Sequence, residues 1–422
     1  MKVLMFGWEF PPHISGGLGT ACFGLTKALS KLGVDITFIV PKIKGEQKDS
    51  PVTLLGADNI VPMTKSEFEK QTEHLEEYIE IGSTLTPYLD FDEYKKTKKS
   101  TDGDNNDVTI EFSGNYGQNL MEEVVRYSLV GEKLGKEQSY DVIHCHDWMT
   151  FLAGHEAKKA SGKPLVVHVH STEFDRSGNN PNTEIFNLEK FGMEKADLVI
   201  TVSKRMKDII VDKYGIAAKK VTVIYNAVEK DDISELGKLR EFKKSNNEKI
   251  VLFLGRITMQ KGPEYFIEAA RMVIEKIPNV RFVMAGAGDL AKKMIEKMAS
   301  MDIIDRFHFT GFLGPNDRER LFSMSDLYIM PSVSEPFGIT PLEAIKHNIP
   351  VIVSNQSGIA EILEDAIKID FWNTDKLAQS IIDILSSPHQ GHAIIENNKR
   401  TLEQIDWKYV AIHVREIYQN YL

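Results

Sequence analysis

The chain is poor in cysteine and contains neither a long apolar run nor an excess of positive charge. Its 422 residues include two cysteines, Cys22 and Cys145, too few for a disulfide framework and consistent with a reducing compartment. No apolar run approaches the roughly 18 residues of a membrane-spanning helix, and the N-terminus enters a strand pattern without the apolar core of a signal peptide. We therefore expect a cytoplasmic protein without a transmembrane segment.

The charge balance narrows the class of substrate. The chain has 51 basic and 61 acidic residues, a net charge of −10, which is unlike the basic footprint that nucleic-acid binding requires. A neutral or small-molecule substrate fits better. The segment "HCHD", from His144 to Asp147, contains metal-ligating residue types. Adjacent strand residues point to opposite faces, however, and no second ligand cluster is visible in the sequence, so we predict no metal site.

The pattern of apolar segments predicts the fold. Short apolar runs such as "KVLMFGW", "DITFIVP" and "PLVVHVH" alternate with helical periodicities, and the alternation restarts at "IVLFLGR". Such repetition predicts parallel sheets covered by helices on both faces. We expect an α/β protein with two Rossmann-like, doubly wound lobes that face each other across a cleft, where ligands bind at the carboxyl ends of the strands.

Breaks in this alternation mark the predicted domains. The N-terminal lobe spans residues 1–228 and includes a polar insertion at about 45–135. A charged stretch of little periodicity, residues 229–248, is the predicted linker to a C-terminal lobe at residues 249–405. The last segment, residues 406–422, carries too many large apolar residues for a solvated tail, so it must pack on another part of the protein.

A glycine-rich turn follows the first predicted strand. In "SGGLG", Gly16, Gly17 and Gly19 come at the start of the first predicted helix, where glycine allows backbone N–H groups to approach a phosphate or sugar closely. A plain strand-to-helix turn is the alternative interpretation. The spacing is not that of the dinucleotide-binding GxGxxG motif, which disfavours a nicotinamide cofactor.

Two further strand ends carry candidate functional side chains. Arg256 and Lys261 lie in a loop at the mouth of the predicted cleft, where two cations could hold a diphosphate, although a solvated basic loop is the alternative. His168 and His170 lie on one face of another strand. A single such histidine is more often structural, but the position of His170 at the carboxyl end of its strand favours a functional role.

The segment "PSVSEPFGITPLEA" contains two carboxylates with different predicted duties. The spacing predicts a helix with Thr340 as N-cap and Glu343 as the N3 residue of a capping box. Glu335 precedes the helix and has no such duty. The backbone N–H groups of residues 338–340 lie at the positive end of the helix dipole, where a diphosphate could bind. The two glutamates therefore need not act as an acid/base pair.

Taken together, these motifs resemble a known family. "EPFGITPLE" resembles the EX7E signature of retaining GT-B glycosyltransferases of the glycogen synthase and sucrose synthase type, and "SGGLG", "HCHDW", "HVHS", "GRITMQKG" and "IDWKYVAIHVREIYQNYL" fit the same family in order. The resemblance covers nearly the whole chain apart from the insertion and is closest to bacterial and archaeal glycogen synthases. One position departs from the pattern: Ile14 occupies the place of a lysine that contacts phosphate, which leaves the donor open.

The resemblance implies a role for each matching residue. It implies that Arg256 and Lys261 hold the diphosphate of a nucleotide sugar, that Glu335 contacts the transferred sugar, that His170 lies near that sugar, and that Asp147 lines the acceptor side. The implied donor-binding residues are Gly16, Gly17, Arg256, Lys261, Phe337, Gly338, Ile339, Thr340 and Glu343, the last of them on the ribose hydroxyls. The helix at 406–422 would pack back on the N-terminal lobe.

The implied reaction is the transfer of a hexosyl group, with glucosyl favoured, from ADP-glucose or UDP-glucose to a glucan or oligosaccharide. The expected acceptor is the non-reducing end of an α-1,4-glucan, the anomeric configuration is retained, and neither metal nor cofactor is needed. The sequence does not indicate an oligomeric state.

Several alternatives stay open on the sequence. One is another retaining transferase of the same group, moving mannose or glucose to a glycan, a lipid or a small sugar. A second is a sensor that binds a nucleotide sugar without turnover. A phosphorylase shares a two-lobe fold but would need a pyridoxal phosphate lysine in a much longer chain, and a nucleotide-sugar epimerase lacks this combination of motifs. A glycoside hydrolase would need both carboxylates placed across one sugar.

Overall fold

The computed structural model describes residues 1–11, 16–43, 50–60, 120–229 and 248–422, and its first half forms one parallel sheet. The strands are β1 (Lys2–Phe6), β2 (Asp35–Val40), β3 (Thr53–Gly56), β4 (Val142–His146), β5 (Leu165–Val169), β6 (Leu198–Thr201) and β7 (Val221–Val223). Their order is β3-β2-β1-β4-β5-β6-β7, and every pair is parallel. The direction of winding therefore reverses between β1 and β4.

Helices cover both faces of this sheet. They are α1 (Gly17–Lys31), α2 (Leu120–Glu137), α3 (Phe151–Ser161), α4 (Glu173–Ser177), α5 (Thr183–Lys195) and α6 (Lys204–Tyr214). Side chains of β1 alternate between the faces: Val3 and Met5 join the core under α1, whereas Leu4 and Phe6 join the core under α2 and α3. Because both faces are covered, β4 and β5 are buried along their whole length, as their continuous apolar runs predict.

The second half forms a six-stranded parallel sheet. Its strands are β8 (Lys249–Leu254), β9 (Val280–Ala285), β10 (Phe307–Gly311), β11 (Leu327–Met330), β12 (Val351–Ser354) and β13 (Ile367–Ile369), in the order β10-β9-β8-β11-β12-β13. The accompanying helices are α7 (Pro263–Lys276), α8 (Ala291–Ser300), α9 (Pro315–Met324), α10 (Thr340–Lys346), α11 (Thr374–Ser386) and α12 (Pro388–Gln404). The order is that of a Rossmann fold, reversing between β8 and β11.

The last helix, α13 (Trp407–Gln419), packs on the first sheet rather than on the second. A Cβ atom added at Gly24 of α1 would lie 2.3 Å from the indole of Trp407, so the two helices touch where α1 has no side chain. Near the start of α13, Asp406 forms a β-bridge with Val228, where the chain leaves the first lobe. The segment that leaves the first lobe at Val228 and the segment that returns to it at Asp406 therefore lie side by side.

A buried hydrogen bond ties α13 to the first sheet. The Tyr418 hydroxyl bonds Nδ1 of His144 on β4, and both side chains are fully buried. We expect Tyr418→Phe to lower the free energy of unfolding by about 1–3 kcal/mol, because it leaves a buried imidazole nitrogen without its partner. Urea denaturation measures the loss. Tyr409→Phe on the same helix is the control, since Tyr409 is exposed and should change stability by less than about 0.5 kcal/mol. Equal effects would contradict the assignment.

The insertion predicted at about 45–135 is too wide. Thr53–Gly56 is the edge strand β3 of the first sheet, and Leu120–Glu137 is helix α2, whose Tyr127 is fully buried. The Tyr127 hydroxyl donates to the carbonyls of Gly7 and Ile39, in the loop after β1 and on β2 respectively. These elements belong to the lobe itself. Residues 61–119, and residues 230–247 of the predicted linker, lie outside the described residues.

Within the part of the chain that the structure describes, no helix combines the length and the apolar character needed to cross a membrane. The cytoplasmic location stays a prediction.

Candidate active site

Most of the predicted site residues follow the strands at which the two sheets reverse direction. Gly16 and Gly17 come after β1, and Asp147 comes directly after β4. In the second lobe, Arg256 and Lys261 come after β8, and Glu335 comes after β11. Ligands of doubly wound sheets bind at these reversal points, in the crevice outside the carboxyl ends of the strands.

Polar contacts join the two lobes beside this crevice. The Ser334 hydroxyl donates to Asp175 on α4 at 2.7 Å and accepts from the guanidinium of Arg205 on α6 at 3.1 Å. The Glu361 carboxylate accepts the backbone N–H groups of Lys204 and Arg205 at 2.9 and 2.8 Å, at the N-terminus of α6. The partners are about 130–160 residues apart in sequence, and sequence reasoning identified none of these contacts.

Lys261 and Glu335 form an ion pair between the loops after β8 and β11. The Lys261 ammonium lies 2.5 Å from Oε2 of Glu335, which also accepts from the Ser332 hydroxyl at 3.3 Å. The backbone of Glu335 is fixed on both sides, since its N–H donates to the carbonyl of Gln356 and its own carbonyl accepts from Gly358. The carboxylate is buried and therefore has a defined position.

The geometry of the loop after β8 explains how Lys261 reaches Glu335. Lys261 ends a 3-10 turn, Met259–Lys261, and Gly262 follows with φ of 66°. A Cβ atom at Gly262 would lie 2.1 Å from the carbonyl oxygen of Pro331, so only glycine allows the two loops to touch here. Arg256 lies in the same loop, half-buried.

The capping box predicted for the helix after Glu335 is wrong. Helix α10 begins with Thr340 as its first residue, Ile339 occupies the N-cap, and no described side chain caps the helix. The Thr340 hydroxyl instead bonds the Tyr328 hydroxyl at 2.7 Å. Glu343 turns away from the N-cap and lies 3.4 Å from the Arg318 guanidinium on α9. Capping-box spacing therefore identified the helix but not the partner of Glu343.

The start of α10 presents unused hydrogen-bonding groups. Among the described residues, the amides of Gly338, Ile339 and Thr340 donate no backbone hydrogen bond. Gly338 has φ of 103°, and a Cβ atom there would lie 3.3 Å from the Glu335 side chain, so glycine keeps this turn tight. Oε2 of Glu343 is buried and has no hydrogen-bond partner in the segments that the structure describes, and burial raises the pKa of this carboxyl.

The remaining predicted donor residues lie at or just before the starts of α10 and α1. Phe337 is buried, with its ring tilted towards Tyr225 of the first lobe at a centroid distance of 6.2 Å. Gly16 is the N-cap of α1 and Gly17 its first residue. A Cβ atom added at either glycine meets no described atom within 4 Å, so neither glycine is required by the packing of the described residues.

Asp147 supports the neighbouring loop. Its Oδ1 accepts the backbone N–H of His170 at 2.6 Å and that of Ser171 at 3.3 Å, so it fixes the chain as it leaves β5. Its φ and ψ of 61° and 166° lie in a region that is almost reserved for glycine and costs about 1–3 kcal/mol. Burial raises the pKa of this carboxyl to about 7. Asp147 thus acts on the backbone that carries His170.

Four imidazoles lie side by side at the ends of β4 and β5. His144 and His146 on β4 stack at a centroid distance of 4.4 Å, and His168 and His170 stack at 4.3 Å. The sequence argument that no second ligand cluster accompanies "HCHD" is therefore wrong, because β5 is the neighbour of β4 and supplies one. Nitrogens of His144, His146 and His168 lie within 4.8 Å of one another.

The rings of these three histidines are inclined to one another by only 20° to 31°. The absence of a metal site stays a prediction.

A cavity of about 450 Å³ lies elsewhere between the lobes, beside α6 and the 3-10 turn Gly358–Glu361. None of the predicted site residues lines it. Its basic side chains, among them Arg205 and Lys368, are matched in number by its acidic ones, among them Asp208 and Glu361. We therefore place the candidate active site at Lys261, Glu335 and the start of α10.

The fold and the position of the site define the class of protein. The protein has the predicted GT-B architecture, in which two Rossmann-like lobes meet at the reversal points of their sheets. A solved structure of Anabaena HepE in complex with UDP and glucose has the same architecture. That structure superposes with a TM-score of 0.71, at 18% identity and with 100% of both chains covered.

The sequence families agree with this class. Residues 2–222 match the family described as the starch synthase catalytic domain, and residues 237–401 match glycosyl transferases group 1. The chain belongs to the glycosyltransferases of the starch synthase type.

Two relatives match along almost the whole chain. An uncharacterized glycosyltransferase of Methanocaldococcus jannaschii is 29% identical, with 99% of this chain and 98% of the relative covered. A glycogen synthase of Mycobacterium tuberculosis is 23% identical, with 99% of this chain and 94% of the relative covered.

Proposed function

We propose that this glycosyltransferase moves a glucosyl group from ADP-glucose or UDP-glucose to the non-reducing end of an α-1,4-glucan, with retention of anomeric configuration. The observation that carries the proposal is the ion pair of Lys261 and Glu335 beside the amides at the start of α10, which donate no backbone hydrogen bond to any described residue. The similarity to a glycogen synthase, and the fold shared with a protein solved in complex with UDP and glucose, support this proposal.

The positive groups suit the departure of a nucleoside diphosphate. When the glycosidic bond to the donor breaks, negative charge develops on the phosphate oxygens. Lys261, Arg256 and the amides of residues 338–340 are preorganised donors for that charge, and one such donor typically contributes about 3–4 kcal/mol to transition-state stabilisation. The two cations supply the charge that a divalent ion would otherwise bring, so we propose a metal-independent reaction without a cofactor.

The carboxylates and His170 would hold the remaining parts of the donor. Glu335, fixed by Lys261 and by backbone contacts, would contact the transferred sugar. Oε2 of Glu343, which bonds no other described residue, would accept hydrogen bonds from the ribose hydroxyls. Burial lowers the pKa of His170 to about 3, so at neutral pH this imidazole binds the sugar as an uncharged hydrogen-bonding group.

A substitution at Gly17 separates the role of this glycine in ligand binding from a role in folding. We expect Gly17→Ala to raise the KM for the donor by about tenfold or more, because a methyl group at the helix start blocks close approach of a phosphate or sugar. Its stability should not fall, since a Cβ atom meets no described atom within 4 Å and alanine favours helix.

Steady-state kinetics and thermal denaturation test this prediction. Gly314→Ala is the matched control, because Gly314 precedes α9, has equal space around its Cβ position and is not a predicted site residue. An unchanged KM in Gly17→Ala would remove Gly17 from the donor site.

The proposed reaction is tested by incubating the protein with ADP-glucose, UDP-glucose or GDP-mannose, with and without maltooligosaccharide. Released nucleotide and the anomeric proton of the product are measured by coupled assay and NMR. Glucose transfer with an α product supports the proposal, whereas a β product contradicts retention. Turnover only with GDP-mannose, or only with a lipid or small-sugar acceptor, would assign another transferase of the group. Nucleotide binding without any turnover would assign a sensor.

Another donor or acceptor within this group is the second candidate, favoured by the sequence. Ile14, which lies outside the described residues, replaces the lysine that contacts phosphate in the glycogen synthases that the chain resembles. Restoring that lysine with Ile14→Lys should lower the KM for the true donor, and a change confined to one donor of the panel identifies it.

A further inference from the structure

A side-chain hydrogen bond links two of the stacked histidines directly. Nδ1 of His146 lies 3.0 Å from Nε2 of His170. His146 ends β4 and pairs in register with His168, two residues before His170, so the parallel sheet brings the two rings together. Because Asp147 also holds the backbone N–H of His170, both the chain and the ring of His170 have fixed positions.

The two rings must share one proton in this contact. Burial lowers the pKa of His146 well below its ordinary value and that of His170 to about 3, so both rings are neutral and each carries one N–H. Either His146 donates from Nδ1 to Nε2 of His170, or His170 donates from Nε2 to Nδ1 of His146. The direction of this hydrogen bond determines whether Nδ1 or Nε2 of His170 carries the ring proton.

The environment of the second ring nitrogen of His146, Nε2, decides between these two arrangements. Its Nε2 is buried and has no hydrogen-bond partner within the described part of the chain. If His170 were the donor, His146 would carry its proton on Nε2 and bury an N–H group without an acceptor, which is rarer in proteins than a buried acceptor without a donor. If His146 is the donor, its Nε2 is only an unused acceptor. The second arrangement is the less costly one.

We infer that His146 is a positioning residue that holds His170 in the tautomer protonated on Nδ1. His170 is half-buried, and no described residue bonds its Nδ1. In this tautomer His170 has an N–H that no described residue accepts, and it is suited to an acceptor oxygen of a ligand, such as a sugar hydroxyl. That consequence for the substrate rests on the proposed function, whereas the tautomer itself does not.

The tautomer is measured by long-range ¹H–¹⁵N NMR on the full chain labelled with ¹⁵N-histidine. Loss of signals in His170→Asn identifies the His170 resonances. We expect a protonated Nδ1 and an unprotonated Nε2 for His170 in the unmodified protein. A protonated Nε2 would overturn the inference by itself, and this measurement needs neither substrate nor an active enzyme.

Two matched variants separate the hydrogen bond from the packing. His146→Phe and His168→Phe both replace a buried, stacked imidazole by a ring without nitrogen, and the two positions lie opposite each other in the sheet. Of these two histidines, only His146 bonds the side chain of His170, whereas neither nitrogen of His168 has a hydrogen-bond partner among the described residues. We expect the proton of His170 to move to Nε2 in His146→Phe alone, and His146→Asn, which keeps a nearby donor, to restore the Nδ1 proton.

Kinetics then connect the tautomer to the reaction. We expect His146→Phe to lower kcat/KM by about tenfold, His146→Asn to recover part of the loss, and His168→Phe to stay near the unmodified protein. An unchanged tautomer in His146→Phe, or equal shifts in both phenylalanine variants, would overturn the inference. If the phenylalanine variant does not fold, the spectra of the unmodified protein and of His146→Asn decide. Absence of turnover with every donor would refute the proposed function and leave the NMR result intact.

Discussion

Lys261→Ala is expected to lower kcat/KM by about 10²–10³-fold and to destabilise the second lobe at the same time. The kinetic loss follows from removing a preorganised positive group from a developing phosphate charge. The loss of stability follows from the ion pair, since Glu335 is only 7% exposed and would keep a charge without its partner. Because the Lys261 side chain is 22% exposed, we expect about 2 kcal/mol rather than the larger cost of a fully buried pair.

A double variant separates these two effects. Adding Glu335→Gln to Lys261→Ala removes the uncompensated charge, and glutamine still offers an oxygen to the Ser332 hydroxyl. Stability should return to within about 1 kcal/mol of the unmodified protein, whereas activity should stay low because both site residues are altered. Urea denaturation and initial rates measured on the same samples give the two quantities.

Lys297→Ala is the control for an ordinary ion pair. Lys297 lies 2.7 Å from Glu268 in the same lobe, and its side chain has the same 22% exposure, but Glu268 is 41% exposed. The variant should cost less than about 1 kcal/mol and leave activity unchanged. If Lys261→Ala lost stability but kept its activity, the pair of Lys261 and Glu335 would be structural and the proposed donor site would be refuted.

The fold was predictable because it depends on local patterns. Buried parallel strands such as "VIHCH" at β4 and "LVVHV" at β5 are continuous apolar runs interrupted only by histidine, and the helices between them carry their own periodicity. The edge strand β3 was missed because it is four residues long and exposed at its start. Helix α2 was assigned to an insertion because a polar stretch separates it from the strands that it covers.

The residues of the candidate site were predictable one by one, but their partners were not. Loop position and residue type identified Lys261 and Glu335, yet 74 residues separate them and no periodicity indicates that they touch. The same holds for His146 and His170, which meet only because β4 and β5 are neighbours. Glu343 shows the opposite error: a local rule gave it a partner at the N-cap, whereas tertiary packing turns it towards Arg318 on α9.

Asp147→Asn is expected to become more stable relative to the unmodified protein as the pH rises. Burial raises the pKa of this carboxyl from 3.8 to about 7 in the folded chain. Between these values the unfolded chain releases the proton while the folded chain retains it, so the unfolded state binds fewer protons and the free energy of unfolding falls with pH. The contribution of Asp147 to stability is therefore fully present below about pH 4 and lost by about pH 7.

The asparagine variant has no carboxyl at this position, so it should not lose this stability as the pH rises, and it should keep the local structure. Its amide oxygen can still accept the backbone N–H groups of His170 and Ser171, as the carboxylate does. The stability of Asp147→Asn relative to the unmodified protein should thus rise by on the order of 3–4 kcal/mol between about pH 4 and pH 8, since each pH unit corresponds to about 1.4 kcal/mol. Urea denaturation at several pH values measures this difference, with Asp365→Asn, a substitution at an exposed carboxyl, as the control measured alongside. A flat difference for Asp147→Asn would mean that the pKa of this carboxyl is the same in the folded and the unfolded chain, so that the two backbone N–H groups that donate to it balance the cost of burying its charge.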